Sequence, residues 1–257
     1  MIYDCFLFHG EMDCLEIRTS ELNGMEVKQV IVQAVETFTG KQNRELRHLI
    51  GENIISVIAT RISNNSTAWE REEYQRNGIM GGLKDVKDND IIIISDVDEI
   101  PRALAVQEFI DKGYDFAALK MDVFWYKLNC LAEKQTWCHP KIMRYSYLKD
   151  KTPNDVRGSG FPNVIDNAGW HFSYLGDENF IVNKLESFSH QEYNTSEFKD
   201  KQGIRRKIES GMSLWGESKF EFLPLDNTFP EYVLNNQEKF KHLIHEVNSR
   251  GRSEEHT

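Results

Sequence analysis

Ile91-Ile92-Ile93-Ile94-Ser95-Asp96-Val97-Asp98-Glu99-Ile100-Pro101 is the stretch that decides the fold class. Four consecutive isoleucines leave no polar face, so the segment reads as a central strand covered on both sides. Strands of that kind belong to parallel sheets in α/β proteins. Three carboxylates follow at once, at the edge where open α/β sheets bind their ligands. Asp96 and Asp98 lie two residues apart, so in extended chain they point to the same side and can serve one cation. Hard divalent cations such as Mg²⁺ or Mn²⁺ prefer oxygen ligands and commonly bridge protein carboxylates to substrate phosphates. The plainer reading is that Glu99 and its neighbours are acids at a helix start, with Pro101 at the first helical position. Three carboxylates at the end of a buried strand are costly without a partner, which favours the cation site.

Working outward, apolar and β-branched runs predict strands over 2–8, 27–35 and 53–59. Helical spacing predicts helices over 12–22 and 69–82. Strand and helix alternating through the first hundred residues imply a layered α/β sheet, mainly parallel. After Pro101 a helix is expected, then strands of antiparallel character over 116–126 and 141–147. Residues 150–167, rich in Gly, Pro, Asn and Asp, read as a long loop able to close over a ligand. A strand over 169–173 and helices over 178–189, 201–211 and 231–247 complete the expectation. With no repeat and no linker, one α/β domain over 1–250 is expected. Its first hundred residues form the nucleotide-binding half and 101–250 the acceptor side. Arg252-Ser-Glu-Glu-His-Thr257 matches the translation of a common sequencing-adapter read and is expected to be a non-native tail.

A chain of 257 residues with 40% hydrophobic content can bury a core without staples. The formal net charge of -10, with no basic run longer than Arg205-Arg206-Lys207, argues against a nucleic-acid partner. Cys5, Cys14, Cys130 and Cys138 have neither CxxC nor zinc-finger spacing and read as reduced, a Cys130–Cys138 pair staying open. No apolar run reaches membrane-spanning length, and the N-terminus is charged too early for a signal peptide. The expected location is cytoplasmic, which makes the N-x-Ser/Thr triplets at Asn64, Asn65 and Asn194 chance matches.

Asp96-Val-Asp-Glu-Ile-Pro101 also resembles the acidic segment of glycosyltransferase family 17, the family of the bisecting N-acetylglucosaminyltransferases. Ordered matches accompany it along the chain. They are Tyr3-Asp-Cys-Phe-Leu-Phe8, Val35-Glu-Thr-Phe-Thr-Gly-Lys41, Trp69-Glu-Arg-Glu72 with Gln75-Arg-Asn77, Gly169-Trp-His-Phe-Ser173, and Lys184-Leu-Glu-Ser-Phe-Ser-His190 with Glu192-Tyr-Asn194. The resemblance implies a GT-A-like fold, a nucleotide-sugar donor (UDP-GlcNAc), a glycan acceptor and inversion at the anomeric carbon. The chain departs from eukaryotic members in showing no membrane anchor or stem, so the acceptor of those members does not carry over.

Site residues follow from motif and resemblance together. Asp96 and Asp98 are expected to hold Mn²⁺ or Mg²⁺, with His171 as a late histidine ligand of the kind GT-A enzymes use. Glu36, Thr37 and Thr39, after the second strand, are expected near the nucleotide, as is Asp96. Arg71, Arg76 and Arg157 are expected on the diphosphate, since guanidinium offers bidentate donors to phosphate. The general base is sought among Glu178, Asp177 and Asp122, although Asp177 also reads as a helix cap. Trp125 and Tyr126 are expected to present rings to the acceptor sugar. An apolar strand followed by Asp-x-Asp also occurs in aspartate-nucleophile phosphatases. There, however, the motif sits on an early strand, whereas three strands precede it here. A non-catalytic nucleotide-sugar-binding protein is the third reading.

Overall fold

The computed structural model describes residues 1–216 and 218–247, so the tail expected at 252–257 lies outside the described residues. In chain order the elements are β1 (Ile2–Leu7), α1 (Met12–Glu21), β2 (Val27–Ala34), β3 (Ile54–Ala59), α2 (Ala68–Asn77), β4 (Ile91–Asp96), β5 (Glu99–Pro101) and α3 (Ala103–Lys112). They continue as β6 (Phe116–Leu119), β7 (Met121–Trp125), β8 (Cys130–Trp137), β9 (Lys141–Arg144), α4 (Tyr145–Leu148), α5 (Pro153–Gly158), β10 (Val164–Ile165) and β11 (Gly169–Ser173). The last are α6 (Glu178–Ser187), α7 (Lys201–Ser210), β12 (Glu221–Phe222), α8 (Glu231–Asn235) and α9 (Gln237–Phe240).

The isoleucine run is the core of the molecule. Ile91 and Ile93 pack on one face of β4 with Val106, Phe109 and Ile142. Ile92 and Ile94 pack on the other with Cys5, Val30, Val32 and Met143. β4 belongs to a mixed, mostly parallel seven-stranded sheet of order β10-β6-β9-β4-β1-β2-β3. β1 runs parallel to both β2 and β4, and β2 to β3, whereas β9 is antiparallel to β4 and β6. The chain leaves β1 in one direction for β2 and β3, then returns to β4 on the other side. That reversal opens a crevice past the carboxyl ends of β1 and β4, where Leu7 pairs with Asp96.

A second sheet, β12-β8-β7-β11-β5, packs beside that edge. It departs from the sequence expectation at several points, each with a local cause. β8 lacked the strand signature because its outer residues Glu133, Lys134, Gln135 and Thr136 are exposed. Pro101 does not start a helix. It ends β5, an edge strand where its missing N–H breaks no ladder bond, and Arg102 is the N-cap of α3. β5 lies against Gly169, where a Cβ would come within 2.1 Å of the Ile100 carbonyl oxygen, so only glycine fits.

The expected strand over 141–147 stops at Arg144 and turns into α4. The 150–167 loop contains α5, started by Pro153 and capped by Thr152, whose hydroxyl accepts from the Asp155 amide. The helix expected over 231–247 breaks at Asn236, whose φ of -129° is not helical. All four cysteines are free, and among the described residues no helix is long and apolar enough to cross a membrane.

Candidate active site

The strand-end carboxylates sit in a network of cations. Arg76, in the last turn of α2, donates to Asp96 Oδ1 at 3.2 Å, and Arg157 of α5 donates to Asp96 Oδ2 at 2.7 Å. Burial works against charge on Asp96, but Arg157 and then Arg76 hold its carboxyl well below the ordinary carboxylate range. Glu99, fully buried, is the hub behind it. Its carboxylate accepts from Arg157 Nη1 at 2.8 Å and Nη2 at 2.6 Å, from Trp137 Nε1 at 2.5 Å and from the Asp96 amide at 2.7 Å. Asp98 accepts from Lys184 Nζ at 2.8 Å, and that ammonium lies 5.1 Å from the Tyr174 ring centroid. Burial again opposes charge on Lys184, and the carboxylates of Asp98 and Glu11 more than offset it.

The turn between β4 and β5 is pinned from beneath by a buried ion pair that the sequence reading missed. Arg18 of α1 donates through Nε to Asp4 Oδ2 at 2.7 Å, through Nη1 to the Asp96 and Glu99 carbonyls at 2.9 and 2.8 Å, and through Nη2 to Ser95 Oγ at 2.6 Å. One signal was available: Asp4 is a charged residue in the middle of an otherwise apolar strand.

His171, on β11, pairs in register with Glu99 across β5. Its Nδ1 is buried with no hydrogen-bond partner, and its ring lies 4.4 Å from that of Trp137. Burial lowers its pKa, so the imidazole is held neutral, against the pull of the neighbouring Asp98 charge. Among the described residues no three His, Cys, Asp or Glu side chains converge as a complete metal set. Mg²⁺ and Mn²⁺ sites in nucleotide enzymes use one or two carboxylates and complete their shell with phosphate and water. Asp98, with the unpartnered nitrogen of His171 beside it, fits that sparse kind of site.

These groups floor a cavity of about 780 Å³, the size of site that buries a ligand as large as a cofactor. Its far wall is aromatic. Trp125 stacks on Tyr174 at 5.3 Å between centroids and 8° between planes, and donates through its indole N–H to Gln135 at 2.9 Å. Trp69, Tyr193 and Trp215 line the same space.

Of the residues picked from sequence, Asp96, Asp98, Arg76, Arg157, His171 and Trp125 meet in this cavity. The others do not line it. Glu36 is buried against Arg71, which turns away to donate to the Ser63, Asn64 and Ser66 carbonyls. The Thr37 and Thr39 hydroxyls lie 2.9 Å apart, and Thr39 reaches the Glu186 carbonyl. Asp122 is exposed on β7, on the face opposite Val123 and Trp125. Asp177 caps α6 through the Asn179 and Phe180 amides, and Glu178 pairs with Arg205. Tyr126 lies buried behind the wall with φ 63°, donating to the Met212 carbonyl at 2.9 Å. Glu11 and Glu73, which the sequence reading passed over, line the cavity.

The family described as glycosyltransferase family 17 matches residues 1–250. No curated protein matches the chain. Among solved structures, the crystal structure of Francisella tularensis 2-C-methyl-D-erythritol 4-phosphate cytidylyltransferase aligns at 8% identity and a TM-score of 0.33. That alignment covers 64% of this chain and 90% of that one.

Proposed function

We propose, given that the chain belongs to glycosyltransferase family 17 and is a glycosyltransferase, that it is a metal-dependent, inverting N-acetylglucosaminyltransferase on a GT-A-like scaffold. It takes its sugar from UDP-GlcNAc and places it on a glycan hydroxyl. Both halves of the chain contribute to the site: Arg76 and Asp98 come from residues up to about 100, and Arg157, His171 and Lys184 from those after it. The four free cysteines fit a reducing compartment, in support of a cytoplasmic location. One observation carries the reading. Three cations, Arg76, Arg157 and Lys184, converge with Asp98 and His171 in one cavity at the point where the strand order reverses.

In the transfer, the acceptor oxygen bonds to the anomeric carbon as the bond from that carbon to the diphosphate oxygen breaks. Negative charge grows on the diphosphate, and preorganised guanidinium and ammonium groups stabilise it. Arg157 is held for this by Glu99, and Arg76 by Glu72 at 2.7 Å and Asn154 at 3.0 Å. Of the expected ligands Asp96, Asp98 and His171, Asp96 is taken up by Arg76 and Arg157, so Asp98 and His171 are the residues that would hold a divalent cation, which supplies further neutralisation of the leaving group when bound. The acceptor proton passes to a carboxylate. Asp122, Asp177 and Glu178 lie off the cavity. Glu11, within the field of the Lys184 ammonium, and Glu73 line it.

The test is a thermal-shift panel of nucleoside diphosphates and nucleotide sugars, with and without Mn²⁺. UDP and UDP-GlcNAc should stabilise the protein in a metal-dependent way, and Asp98→Asn should lose the metal effect. If no nucleoside diphosphate stabilises the protein, the proposal fails.

A further inference from the structure

The cavity has two chemically distinct ends. Among the described residues its lysine and arginine lining, Arg76, Arg157 and Lys184, lies at the floor, and each is already paired with a carboxylate there. The opposite end is a row of rings in sequence. Trp69 meets His190 edge-on at 4.6 Å, His190 lies 6.1 Å from Tyr193, and Tyr193 lies 4.0 Å from Trp215. Trp215 in turn lies 5.9 Å from Tyr174, which stacks on Trp125, so the row reaches the interior.

This row is not ordinary core. Trp170 is 2% exposed, as a structural tryptophan should be, whereas Trp69 is 51% exposed at the lip of the cavity. Glu73 stands one helical turn after Trp69, on the same face of α2, and also lines the cavity. Among the described residues lining this end there is no Lys or Arg for an anionic occupant, which would meet that carboxylate instead. A neutral occupant with an apolar face and hydroxyl groups meets rings for the one and an acceptor for the other. A pyranose has that form, its C–H face packing on aromatic rings.

Resting on the glycosyltransferase reading above, we propose that Trp69, His190, Tyr193 and Trp215, with Glu73, form the acceptor platform. It takes an uncharged saccharide of at least two rings, long enough to follow the row to the donor end. Trp69 grips the outer ring and Glu73 accepts hydrogen bonds from hydroxyls.

The experiment is ligand-detected saturation-transfer NMR on the full chain with UDP and Mn²⁺ present. Lactose, chitobiose and mannobiose are the neutral probes, and sialyllactose is the charged counterpart of lactose. At least one neutral disaccharide should bind, and sialyllactose more weakly than lactose. Trp69→Ala and Trp215→Ala should each weaken that binding by about tenfold, the scale of one lost ring contact. Trp69→Phe, which keeps a ring, should restore most of it. The UDP-induced melting shift of each variant should match that of the parent chain, which also shows that the variants fold. The platform is overturned if no neutral disaccharide binds, if both alanine variants bind as tightly as the parent, or if sialyllactose binds better than lactose. A UDP shift without saccharide binding overturns the platform and leaves the donor reading standing. Trp-dependent saccharide binding without a UDP shift does the reverse.

Discussion

The floor and the wall of the cavity are built on opposite plans. The arginines and carboxylates at the centre of the floor hold one another: Arg18 holds the backbone of the turn, Glu99 holds Arg157, and Arg157 and Arg76 hold Asp96. The wall rests mainly on ring against ring, contributed by α2 and by the segments around 190 and 215. The floor suits a task set by charge that appears only in the transition state. The wall suits recognition of a surface, where shape matters and small adjustments are tolerated. Changes in the floor should therefore act on kcat or on the fold itself, and changes in the wall on acceptor KM.

Arg157→Ala is the strongest way to break that division. Loss of one preorganised cation at a leaving group lowers kcat by about a thousandfold, measured at saturating donor and acceptor. Arg157→Lys should recover little, because one ammonium cannot bridge Asp96 and both oxygens of Glu99. A variant with near-normal kcat and a raised acceptor KM would erase the distinction between floor and wall. Arg18→Met tests the layer below. It strands Asp4 without its partner in a fully buried position, and removing one member of such a pair costs about 3–5 kcal/mol. Urea denaturation would measure this. Adding Asp4→Leu to the same chain should regain much of the stability without regaining the carbonyl contacts that hold the Asp96–Glu99 turn.

The same contrast explains what the sequence made legible. The isoleucine run and the carboxylates after it are neighbours in the chain, so strand and floor could be read together. Lys184, which completes the floor, is 86 residues from Asp98, and no local pattern marks its direction. The wall was harder still. Aromatic residues signal burial before they signal binding, and Trp69 looks like any helix residue until His190 is seen across from it. Asp177 and Glu178 show the reverse error. A helix-start acid fits a general base and a cap equally well in sequence, and the geometry here is that of a cap and an exposed pair with Arg205. β8 escaped because half of it faces solvent.

Glu73 and Glu11 sharpen the comparison at the next level. Glu11 sits at the floor, where its carboxylate accepts the His9 amide at 2.9 Å, whereas Glu73 belongs to the wall. If the reacting hydroxyl of an acceptor on the wall comes within reach of Glu73, its proton goes there. Glu73→Gln should then lower kcat by about a hundredfold, and Glu11→Gln by about tenfold or less. The opposite ranking would place the acceptor hydroxyl over the floor.

The effect furthest from the chemistry concerns the support beneath the floor. Lys141 is buried and donates to the Cys138 and His139 carbonyls at 2.5 and 3.1 Å, fixing the turn that carries His139 into the cavity. Burial, aided by the nearby Arg157 charge, pushes its pKa down to about 8 from 10.5. Between those values the unfolded chain holds the proton and the native chain releases it, so stability rises with pH across that window and is lost as pH falls through it. Buried thiols such as Cys5 and Cys14 titrate upward and oppose the trend in the whole protein. The difference between parent and Lys141→Met isolates the lysine. That difference in unfolding free energy should grow in favour of the parent from about pH 8 to above pH 10. A flat difference would mean that Lys141 titrates as it does in water, and that the floor's positive field does not extend to the strand beneath it.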